Sequence, residues 1–172
     1  MGYPISLTWA VRLTSSLCCG ALAEMDLHGN LTATEHLLRL AFANQREDGY
    51  LPWFPMDVAH TNWDGHGALL GFLQLVPLLY RHGHQFSPDL VNFLRPRLAL
   101  GLRKSSRQGS SGLWYTNILI GKITNNILIG GWLNDTKAVN AGEALLTQWL
   151  GYMCDNKRSL HPRIFLHVLF LE

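Results

Sequence analysis

Charge is scarce in this sequence: only 15% of its 172 residues are charged, with Lys and Arg together 14 and Asp and Glu together 12. A net charge of +2 is too small to build a nucleic-acid surface. Cysteine is scarcer still. Cys18, Cys19 and Cys154 are odd in number, and two are adjacent, so they form neither a disulfide framework nor a zinc-ligand spacing. They are expected to be free thiols in a reducing compartment. No apolar run approaches the roughly 20 residues of a membrane span; the most apolar stretch, residues 68–80, suits a buried helix. No phosphate-binding loop, dinucleotide fingerprint or nucleophile elbow is present, so no cofactor is expected. His60 and His66 stand six residues apart rather than at the helical spacing of a zinc motif, and no metal is expected either.

The N-terminus has no clean leader. Arg12, Thr14, Ser15 and Ser16 interrupt its apolar stretch, although Ala21-Leu22-Ala23 has the form of a cleavage site. A cytoplasmic protein is expected, with secretion as the alternative.

What the sequence does hold is helix. Hydrophobic content is 48%, and its spacing predicts six helices, at about residues 5–24, 32–45, 65–81, 87–107, 115–132 and 135–153. Thr32 followed three residues later by Glu35 reads as a capping box for the second. Ser87-Pro88 is a strong start for the fourth, and Asp135 an N-cap for the sixth. Pro77 and Pro96 predict a bend or break inside the third and fourth. The third and fifth helices are apolar all round, which predicts burial on most sides. The reading is an all-α fold of consecutive antiparallel helical hairpins. Residues 1–153 form one domain, followed by an apolar tail over 154–172.

The segment Ala43-Asn44-Gln45-Arg46-Glu47-Asp48-Gly49-Tyr50-Leu51-Pro52 resembles the helix-end motif of α/α toroid proteins, the six-hairpin glycosidases and terpenoid cyclases. The resemblance extends over roughly residues 30–153. It implies about half of an α/α toroid, since a complete toroid has twice the helices read here. It also implies a carbohydrate-active, glycoside-hydrolase-like protein, with a terpenoid cyclase-like toroid as an alternative.

The residues that could carry such chemistry lie in the longer connections. One holds Trp53, Asp57, Trp63, Asp64 and His66, the other Trp114 and Tyr115, with Asn117 just inside the fifth helix. Aromatic rings stack on the apolar faces of sugars, and paired carboxylates supply acid and base to a glycosidic bond. Asp64, at the mouth of the third helix, and Asp57 are the expected catalytic pair. Trp53, Trp63, His66, Trp114, Tyr115 and Asn117 are the expected substrate contacts. The expected partner is an oligosaccharide or other small molecule, with neither nucleic acid nor membrane. Half an array also leaves helix faces uncovered, through which copies could associate. A non-catalytic helical-repeat module or an incomplete fragment is the competing reading.

Overall fold

The computed structural model describes residues 13–51, 67–107 and 112–155. They form six helices: α1 Leu13–His28, α2 Leu31–Phe42, α3 Gly67–His82, α4 Pro88–Arg107, α5, and α6 Thr136–Asp155. A 3₁₀ turn, Gly83–Gln85, joins α3 to α4. Helix α5 is composite, with α-helix over Thr116–Thr124, π-helix over Asn125–Ile129 and a last α turn over Gly130–Leu133. No strand occurs among the described residues, and no described helix is long and apolar enough to cross a membrane.

Several predicted starts hold, each with its hydrogen bond. The Ser87 hydroxyl accepts the Leu90 N–H at 3.2 Å, and the Asp135 carboxylate accepts the Ala138 N–H at 3.1 Å. The capping box at Thr32 does not form. Asn30 caps α2 instead, its side chain accepting the Ala33 N–H at 3.1 Å. Glu35 turns away from α2 and accepts the Ser87 N–H at 3.1 Å, tying α2 to the start of α4. Helix α1 ends later than its apolar pattern suggested, at His28, and α2 ends three residues earlier, at Phe42. Pro77 and Pro96 interrupt neither α3 nor α4.

The π segment has no counterpart in the sequence reading. Within it the Gly130 N–H reaches the Asn125 carbonyl five residues back. A π turn accommodates one extra residue in a helix at an energetic cost and tends to sit where function or packing requires it. Asn134, at φ 61°, closes the helix in the left-handed region that asparagine tolerates.

The main core gathers α1 to α4. Leu90, Leu94, Leu98 and Leu102 recur every four residues and are all buried, so α4 presents one continuous apolar stripe. Against it stand Leu38 and Phe42 of α2 and Phe72, Leu75 and Leu78 of α3, with Cys18, Ala21 and Met25 from α1. Each fully buried leucine contributes about 1.5–3 kcal/mol, so these side chains outweigh any single polar contact. A smaller core joins α5 to α6 through Leu119, Ile123, Trp149 and Met153.

Polar contacts fix the helices relative to one another. The buried Thr34 hydroxyl donates to the Ala21 carbonyl at 3.1 Å, joining α2 to α1. Tyr80 of α3 donates to the Leu128 carbonyl of α5 at 2.9 Å. Arg95 of α4 donates to the Leu133 carbonyl and lies 5.0 Å over the Trp132 ring.

Candidate functional site

Among the expected site residues, Trp53, Asp57, Trp63, Asp64 and His66 lie outside the described residues. Trp114, Tyr115 and Asn117 are described, and the chain builds a specific surface from them. Residues 112–115 form a tight turn in which the Tyr115 N–H donates to the Gly112 carbonyl at 2.8 Å and the Thr116 N–H to the Trp114 carbonyl at 3.0 Å. The turn leaves both rings outside the core. Trp114 is 71% exposed and Tyr115 41%, and they stack with centroids 5.5 Å apart and planes at 29°. The indole also lies against Gly112, so close that a β-carbon there would be 2.4 Å from Trp114 Nε1. The indole thus has the Tyr115 ring and the Gly112 backbone as neighbours.

Asn117 is exposed, one residue into α5. Its Oδ1 accepts the Ile118 N–H at 2.9 Å, which leaves its Nδ2 donors for another partner. Leu113 packs onto the α5–α6 core, so this corner is anchored although the rings are not.

The opposite end of α5 is a separate place. A β-carbon on Gly83 would lie 3.3 Å from the Trp132 indole, so the turn after His82 sits beside the C-terminal end of α5. At 1.5 Å rise per residue this is about 25 Å from Trp114.

An open cleft of about 590 Å³ is lined by residues 43–48, the segment that carries the toroid resemblance. Its chemistry is that of a braced turn. Asp48 accepts the Tyr50 N–H at 3.1 Å, pairs with Lys104 at 2.7 Å and stands 3.5 Å from Arg46. The hydrogen bond from Lys104 is the chief reason its carboxyl lies below the ordinary value of 3.8. A carboxylate so occupied secures the turn and is poorly suited to proton transfer. Gln45 reinforces the same turn, donating to the Arg97 carbonyl at 2.9 Å and to Gly49 at 3.4 Å.

Three features escaped the sequence reading. Asp26 at the end of α1 binds Arg81 and His82, both at 2.7 Å, across more than 50 residues that no local pattern could bridge. Lys122 is only 7% exposed on α5, and burial pushes its ammonium below the ordinary 10.5. Asn125 and Asn126 are buried in the π segment, whose geometry the sequence did not signal. Of the thiols, Cys18 is fully buried and pushed up to about 12, which removes it from thiolate chemistry at neutral pH. No group of His, Cys, Asp and Glu that could hold a metal ion occurs among the described residues. No family model matches the chain, and neither does any curated protein or any solved structure.

Proposed function

We propose that this chain binds carbohydrate on the platform made by Trp114 and Tyr115, as a glycoside-hydrolase-like array of α-helical hairpins. The observation that carries this reading is the exposed, stacked pair. A tryptophan kept 71% exposed on a turn gives up hydrophobic stabilisation that a buried position would supply. A ligand with a flat apolar face and polar edges recovers it, and a pyranose ring has that shape. Asn117 is one turn residue away and offers amide donors for sugar hydroxyls. In this reading Asp64 and Asp57 are the carboxylates that act on the glycosidic bond, and Trp53, Trp63 and His66 extend the surface.

A second reading, a non-catalytic binding module, draws on the described carboxylates. Asp26, Glu35, Asp48 and Asp135 are each committed to an ion pair or a backbone N–H. These four carboxylates are thereby spent on structure and are poor candidates for acid–base chemistry.

The test is titration of the full chain with a panel of oligosaccharides, followed by tryptophan fluorescence, with products of hydrolysis assayed in parallel. Trp114→Ala should abolish binding with helix content unchanged. Asp64→Asn should retain binding and lower turnover on the order of a hundredfold or more, the scale of a lost acid–base group. Binding without turnover in the wild type selects the module. If no oligosaccharide binds, the carbohydrate reading is wrong.

A further inference from the structure

Helix α6 runs antiparallel to α5 in a register that can be followed along its length. A β-carbon on Gly130 would lie 3.0 Å from Ala138, and one on Gly142 would lie 2.7 Å from Ile127 and 3.0 Å from Asn126. Further on, Trp149 and Met153 share a core with Leu119 and Ile123. Extending that pairing brings the last turn of α6, which ends at Asp155, level with Trp114 and Tyr115. The stacked rings therefore stand where the chain leaves α6. Leu150, on the last turns of α6, is exposed as well. The other large exposed apolar side chains belong elsewhere. Leu27 adjoins Asp26, whose partner His82 sits at the far end of α5, and Tyr80 bonds to the Leu128 carbonyl toward that same end. Leu40 lies on α2, which packs against α1.

We propose that the chain's own C-terminal run, residues 164–171, docks on the corner made by Trp114 and Tyr115. Residues 156–172 lie outside the described residues, and their composition divides them in two. Residues 156–163 are a polar link that carries Lys157, Arg158 and Arg163. Residues 164–171 are apolar at every position except His167. Such a run gains by leaving water for any apolar surface it can reach. An extended link of eight residues spans up to roughly 26–29 Å, so the rings beside Asp155 are well within reach. The nearest surface is also the favoured one, because a shorter closed loop costs less entropy. Docking there breaks no ion pair, since those among the described residues lie on α1, α3, α4 and the turn after α2. The tail then covers the rings proposed as the sugar platform, and a saccharide has to displace it. That competition rests on the sugar reading; the docking does not.

The test places the photo-crosslinker p-benzoylphenylalanine at Phe165, and separately at Phe170, in the full chain. A mixture of isotope-labelled and unlabelled protein is irradiated without sugar, digested and read by mass spectrometry, which separates links within one chain from links between copies. Links within one chain to residues 112–117 are expected. Trp114→Ala should lower their yield severalfold, and Leu27→Ala, at the far end, should leave it unchanged. Links confined to residues 80–84 or 128–133, links only between copies, or no links to residues 112–117 overturn the proposal. Equal yields in the Trp114 and Leu27 variants overturn it too. Phe165→Ser together with Phe170→Ser should tighten oligosaccharide binding severalfold; unchanged affinity would show that tail and sugar do not share the rings. If the links form and no saccharide binds either chain, the sugar reading fails and the docking stands.

Discussion

Gly49 is seated on the carbonyl oxygen of Leu100, so close that a β-carbon at residue 49 would lie 2.4 Å from it. Its φ of +89° places it in the left-handed region as well. The turn after α2 is thereby pressed against α4, with Gln45, Asp48 and Lys104 bonding around the contact. Gly49→Ala should lower stability by about 2–4 kcal/mol, from the left-handed penalty together with a clash against backbone that cannot rotate away. Urea unfolding measures this. A loss under about 0.5 kcal/mol, the range of an ordinary surface change, would show that the turn is not pinned to α4.

The start of α2 separates two capping assignments. Asn30 makes the cap hydrogen bond, whereas Thr32, the expected cap, lies inside the helix. Asn30→Ala should therefore cost about 1 kcal/mol, and Thr32→Ala should be nearly neutral. Thermal melts of the two variants give the ordering, and the reverse ordering would restore the capping box.

That start also shows what can be read from sequence. Ser87-Pro88 and Asp135 are legible because the cap and the helix are neighbours in the chain and no other strong donor or acceptor competes. Glu35 is misread because its partner, the Ser87 N–H, lies 52 residues away. The same holds for Asp26 with Arg81 and His82. The all-helical character and the apolar α3 and α5 follow from residue spacing, which is local information. The π segment is different, since nothing in Asn125-Asn126-Ile127-Leu128-Ile129 distinguishes a π turn from an α turn until α3 and α6 pack on it. Of the expected site, the place of Trp114 in a connection between helices was legible, but not whether its ring packs inward or faces solvent. Its stacking on Tyr115 and its rest on Gly112 depend on backbone geometry that the sequence does not carry.

Asp26 makes the stability of the α1–α3 contact dependent on pH. The hydrogen bond from His82, and beyond it the Arg81 charge, hold its carboxyl below the ordinary 3.8. A carboxyl with a depressed folded-state value is protonated more readily in the unfolded chain. Its contribution is therefore present above 3.8 and lost as the pH falls through the folded-state value. Asp26→Asn should melt below the wild type at pH 7, and the two melting temperatures should converge in the acid range. The group is solvent-exposed, so the gap at neutral pH should be small and should shrink in high salt. Melting curves between pH 7 and pH 2.5 decide it; a gap that stays constant across that range would mean that the ion pair is not its source.

Gly112 offers a way to move the aromatic platform without removing it. Its φ lies outside the left-handed region, so alanine is compatible with the backbone there. The added methyl would come 2.4 Å from Nε1 and 2.6 Å from Cδ1 of Trp114. What it meets is the end of an exposed side chain, which can rotate at little cost to the fold. Gly112→Ala should thus keep the wild-type melting temperature, while the near-ultraviolet circular dichroism of the Trp114–Tyr115 pair changes. An aromatic stack is worth about 0.5–1.5 kcal/mol beyond burial, so sugar affinity should fall by roughly 2- to 10-fold. The two readouts separate the causes. A changed dichroism with unchanged affinity means that the rings are not the binding surface. A lowered melting temperature means that the indole is held by the fold, and its exposure would then reflect packing rather than a ligand's place.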